Sequence, residues 1–110
     1  MVNRFLVWVF LCFTLSCSVL WAQVTNGTIS GTVRDASGAV VPGVSVTVRN
    51  LDTGVSRTVN GDRTGRYLVP QLPVGRYEVQ AEVSGFKKEA RRGITLTVGE
   101  TAVVDFALVS

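Results

Sequence analysis

The sequence predicts an all-β fold, a seven-stranded antiparallel sandwich of the immunoglobulin-like kind behind an N-terminal signal peptide, and three observations predict it. Val44, Val46 and Val48 alternate with Ser45, Thr47 and Arg49, the period of a strand that shows one face to a core and the other to water. Past residue 22 no stretch repeats apolar residues at helical spacing. All 11 glycines lie between Gly27 and Gly99 and cut that region into short pieces.

The signal comes first. Met1 to Arg4 is a short positive start, Phe5 to Leu20 is almost wholly apolar, and Trp21-Ala22 closes the run on a small residue before Gln23. That is the layout of a secretory leader, so residues 1–22 are expected to be removed and 23–110 to form the mature domain. Thr14, Ser16 and Ser18 interrupt the apolar run, which is also shorter than the ~20 residues of a bilayer span. No span is therefore expected after cleavage. Lipid attachment at Cys17 is the alternative, on a degenerate Thr14-Leu15-Ser16 approach. Both cysteines, Cys12 and Cys17, belong to the leader, so the mature core must hold without disulfides.

The strands follow in order. Thr28 to Arg34 turns Ile29 and Val33 inward with Gly31 between them, Val44 to Val48 comes next, and a third strand lies around Val55 to Val59. Arg66 to Val69 is the fourth. Tyr77, Val79, Ala81 and Val83 form the inner face of the fifth against Arg76, Glu78, Gln80 and Glu82. Ile94, Leu96 and Val98 mark the sixth, and Ala102, Val104, Phe106 and Leu108 the seventh. Turn chemistry separates them: Asp35-Ala36-Ser37-Gly38 and Pro42-Gly43, Asp52-Thr53-Gly54, Asn60-Gly61-Asp62, Pro73-Val74-Gly75, and Val98-Gly99-Glu100. Glycine supplies positive φ and proline presets it. Short strands with such punctuation and no crossover helices argue for two antiparallel sheets packed face to face.

Composition removes several function classes. The protein has no histidine and its mature part no cysteine, so neither a zinc centre nor a His-assisted nucleophile can be assembled, and no cofactor is expected. Taking Arg4 from the 11 basic residues leaves 10 against 8 acidic ones, a net near +2, too mild a balance for a nucleic-acid binder. Glu78, Glu82 and Asp105 fall on outward strand positions and read as a solvated face. Asp52, Asn60 and Asp62 match no calcium loop and are explained by turn formation. The remaining local feature is basic: Lys87, Lys88, Arg91 and Arg92 cluster beside Phe86 with only Glu89 to relieve them. They form a candidate patch for an acidic or phosphate-bearing partner, or a charged guard on an edge strand.

Ordered motifs carry a family resemblance. Thr28-Ile-Ser-Gly-Thr-Val-Arg-Asp35, Gly38, and Val41-Pro-Gly-Val-Ser-Val-Thr-Val48 are followed by Gly65-Arg-Tyr67, Leu72-Pro-Val-Gly75, Tyr77-Glu-Val79 and Gly85-Phe86. Together they resemble carboxypeptidase regulatory-like domains of the transthyretin (prealbumin-like) type, over about Gly27 to Leu108. The resemblance implies a non-catalytic sandwich, and the physical reading of its motifs has Tyr67 and Tyr77 cap the core with hydroxyls that can stay wet. Such domains also stand between the signal peptide and plug of Oar-like TonB-dependent outer-membrane receptors. The implied role is an accessory or binding module in the periplasm or at the outer membrane of a Gram-negative cell, with a protein partner or receptor components. Carbohydrate binding, as in the starch-binding-like folds, is the alternative, although the mature chain keeps no tryptophan for a sugar platform.

Overall fold

The computed structural model describes residues 25–110. The leader read over residues 1–22, its cleavage point and the alternative at Cys17 lie outside the described residues. Eight strands form two sheets: β1 (Asn26–Asp35), β2 (Ser45–Asn50), β3 (Ser56–Asn60), β4 (Arg66–Pro73), β5 (Gly75–Glu82), β6 (Glu89–Leu96), β7 (Thr101–Val103) and β8 (Phe106–Leu108). One sheet places β1 between β4 and the β7–β8 pair; the other runs β3-β2-β5-β6. The predicted alternation supplies the layer between them. Ile29, Val33, Val46, Val48, Val79 and Leu108 are sealed from solvent, each buried side chain of this size contributing about 1.5–3 kcal/mol.

The sandwich is the predicted one, with eight strands where seven were expected. Val104, Phe106 and Leu108 do face the core, but the closing strand is split in two, and both halves lie parallel to β1. Direction follows from the connection. The turn after β6 carries the chain across to the opposite sheet, with Gly99 N–H on Asn26 and Thr28 N–H on the Glu100 carbonyl, instead of folding it back beside its neighbour. Val98 rides on this turn and is 64% exposed, not inward.

The split has a local cause at Gly31. Its missing side chain lets the Tyr67 hydroxyl reach the Val104 carbonyl; a Cβ there would stand 1.9 Å from that oxygen. With the Val104 carbonyl taken, the Asp105 carboxylate accepts the Thr32 N–H at 2.8 Å instead. One side chain thus replaces a rung of the ladder. Neither tyrosine hydroxyl is wet: Tyr67 and Tyr77 are both buried, and Tyr77 donates to the Pro73 carbonyl at 2.5 Å, because a phenol shut in a core must find a partner.

Two bulges adjust which residues face inward. In β4, Pro70 and Gln71 stand opposite Thr28 alone, with Gln71 at φ 56°. The extra residue shifts the parity so that Leu72 follows Val69 into the core. In β6, Arg92 and Gly93 stand opposite Glu78 alone, with Gly93 at φ 77°.

Candidate functional site

The second bulge decides the fate of the basic segment. It carries Arg92 over the outer face of β5, where its Nε lies 2.8 Å from Glu78 Oε2, while Gln80 donates to the other carboxylate oxygen at 2.5 Å. Glu78 is consequently only 8% exposed, which corrects its reading as a solvated residue. Arg91, paired with Val79 in the register, leans the other way and sets its guanidinium 5.4 Å from the centre of the Phe106 ring, a cation–π distance. Lys87 and Lys88 are exposed before the strand begins, and the Lys87 N–H reaches the Val109 carbonyl. Of the four cations, two therefore act on opposite faces of β6 and two precede it.

The acidic residues serve turns. Asp35 accepts from the Ser37 hydroxyl at 2.6 Å and from the Ser37 and Ala39 N–H groups. Asp62 repeats the arrangement on Thr64 and Arg66. In both, the neighbouring hydroxyl is the main cause holding the carboxyl below its ordinary value of 3.8. Asp52 is held low by Arg76, 3.0 Å away. Asp52 and Asp62 stand at opposite ends of β3, and among the described residues no three acidic, histidine or cysteine side chains gather as a metal site. Asp105 also acts at a distance. Burial first, and then its negative charge, push the Tyr67 hydroxyl well above the usual tyrosine value, with Arg91 opposing.

Two concave surfaces bear on the faces and margins of the sheets. The outer face of the β1 sheet is a wide, open hollow of about 640 Å³ floored by Ser30 and Thr32 and flanked by Leu68, Val103, Arg66 and Asp105. The other is narrower and mostly apolar: a slot of about 250 Å³ at the seam where β3 and β4 form neighbouring margins of the two sheets. Val48, Leu72 and Tyr77 line it from the core, and Val55, 68% exposed, stands at its mouth. Asn50 shapes the adjoining turn by accepting the Asp52 and Thr53 N–H groups at 2.8 and 3.0 Å. Arg57 braces the seam by donating to the Pro70 carbonyl at 2.6 Å. Sequence reasoning missed this slot. Its signal, a valine following Gly54 at the foot of a strand whose only other apolar residue is Val59, reads as ordinary strand patterning until the seam is known.

A sequence model of the carboxypeptidase regulatory-like domain matches residues 28–109. The chain belongs to that family. The carboxypeptidase regulatory-like domain seen here is 38% identical over 92 residues to the TonB-dependent transporter Oar of Myxococcus xanthus, a match that covers 83% of this chain and 8% of the transporter. Among solved structures, the domain is similar to a candidate carbohydrate binding protein of Bacteroides uniformis (22% identity, 77% of this chain and 42% of that one, TM-score 0.62). It is also similar to the Bacillus anthracis TIE protein (22%, 76% and 16%, TM-score 0.66) and to chlorocatechol 1,2-dioxygenase of Pseudomonas putida (14%, 76% and 60%, TM-score 0.61). At these identities the likeness is one of fold.

Proposed function

We propose that this carboxypeptidase regulatory-like domain is a non-catalytic, exported accessory module of a TonB-dependent receptor system, located in the periplasm or at the outer membrane, and that it works by contact. The observation that carries this reading is the 38% identity to the transporter Oar. The site chemistry supports it. Asp35, Asp52, Asp62, Glu78 and Asp105 are engaged in turns, ion pairs or a backbone rung. The basic group Lys87, Lys88, Arg91 and Arg92 belongs to this reading as a partner-facing segment, in which Lys87 and Lys88 are the cations not already committed to Glu78 or Phe106. Carbohydrate recognition is less well supported, since Tyr67, Tyr77 and Phe106 are buried and Phe86 is partly buried against the core, leaving no fully open ring for a sugar among the described residues.

Fractionation and crosslinking in the cell that makes the chain test the proposal. The expected result is recovery with the envelope and crosslinking to, or covalent continuity with, a TonB-dependent receptor polypeptide. Recovery from the cytosol, or hydrolysis of peptides by the purified chain, would overturn it.

A further inference from the structure

We infer that the free edge of β3 is an acceptor for an extended peptide strand that carries one apolar side chain into the slot beside Val55. This deepens the contact-module reading and rests on it. The two sheets have four margins, and three are guarded. β4 has Pro70, which offers no N–H, and a bulge at Gln71. β7 and β8 are three residues each with a break between them. β6 is kinked at Gly93 and crowded by Arg91, Arg92 and Glu89. These are the devices that keep sheet edges from pairing.

β3 has no proline, glycine, bulge or break. It pairs with β2 over five residues with no register shift, and Arg57 is its only charge. That charge is turned into the seam toward Pro70. The unused backbone groups can be assigned. Gly61 N–H bonds the Val44 carbonyl and Asn50 N–H bonds the Val55 carbonyl, both at 2.8 Å. In an antiparallel ladder such bonded pairs recur at every second residue. Val59 and Arg57 therefore spend their groups on β2, and Ser56, Thr58 and Asn60 direct theirs away from the sheet. All three are exposed, and no backbone partner for them occurs among the described residues.

A row of N–H and C=O groups at strand spacing is complementary to an extended backbone. The slot adds side-chain selection: it is apolar, about 250 Å³, and opens at the start of β3 beside Val55, Leu72 and Tyr77, room for one aliphatic or aromatic group. A second copy of the chain fits less well. Paired with itself about Thr58, the middle of the three outward residues, β3 would set Gly61 opposite Val55, and Val59, already packed against its own core, opposite Arg57, so the exposed Val55 of neither copy reaches the other's slot. The occupant is a different extended segment.

The test selects peptides from a random phage-displayed library on the exported chain and synthesises the best binder. Expected are an apolar anchor in its sequence and new amide-exchange protection at Ser56, Thr58 and Asn60. N-methylation of alternate peptide residues should abolish binding in one register and spare it in the other, the signature of an added strand. Thr58→Pro removes an N–H that the ladder does not use, and should weaken binding at least about tenfold. Val55→Glu, which blocks the slot and leaves the edge intact, should do the same, so the inference stands even if the proline variant folds poorly. No binder, binders insensitive to both variants, or self-association lost in Thr58→Pro would overturn it. Receptor crosslinks that survive Thr58→Pro would keep the contact-module reading and overturn the β3 assignment; peptide capture without envelope location would do the reverse.

Discussion

Replacing Tyr67 by phenylalanine tests the account of the split closing strand most directly, because it deletes one oxygen and leaves the ring. The hydroxyl bonds the Val104 carbonyl, and both residues are buried, so no water replaces the lost donor. A buried acceptor left unpaired costs about 1–3 kcal/mol, and a value near the middle, about 2, is expected because the carbonyl keeps no other described partner. In a domain of this size that lowers Tm by roughly 8–16 °C, measurable by far-UV circular dichroism. The pH dependence supplies an independent signature. Tyr67 is raised above 10 in the native protein, so its contribution is complete below pH 10 and is lost as pH rises toward the native value, with a slope of about 1.4 kcal/mol per pH unit. The phenylalanine variant should lack that slope while other groups titrate equally in both proteins. Equal Tm values, or an identical alkaline decline, would refute the reasoning.

Three further outcomes are expected. Gly31→Ala drives a Cβ to 1.9 Å from the Val104 oxygen and 2.8 Å from the Tyr67 hydroxyl, and should cost about 3 kcal/mol or more in urea unfolding. Asp35 and Asp62 have native values below 3.8; their stabilisation is present above that pH and lost as pH falls through the lower native values, so the Asp35→Asn, Asp62→Asn double variant should show a flatter decline of Tm on acidification than the parent. Gly93→Ala meets nothing within 4 Å but sits at φ 77°, so it should lose about 1–2 kcal/mol through the backbone alone, with Gly93→Asn losing less; calorimetry of the two variants separates strain from packing.

The burial code was legible because it depends only on period two, and every inward residue named from Val44 to Val48 and from Val104 to Leu108 is buried. Partner and direction were not. Alternation says which side a residue faces, but nothing in Thr101 to Leu108 states that it lies parallel to β1 rather than antiparallel to β6. The two bulges were hidden for a related reason. A period is read by extrapolation, and Pro70-Gln71 and Arg92-Gly93 break it by one residue; Pro70 and Gly93 were the available hints, each compatible with a turn as well. The burial of Glu78 and the division of the basic segment both follow from the unread bulge at Gly93.

The same two bulges connect fold to function. Each was needed to place side chains, Leu72 in the core and Arg92 over Glu78, and each also disables a sheet margin. The break at Val104–Asp105 disables a third while letting Tyr67 close the core. An edge left regular therefore stands out against a chain that has the means to spoil one with a single proline or glycine. The β2–β3 hairpin forgoes both in Ser56 to Asn60, although Asp52-Thr53-Gly54 and Gly61 flank it on either side. Five regular residues add little to the core, since only Val59 packs against it. Their regularity is better explained by what can be laid beside them than by what they bury.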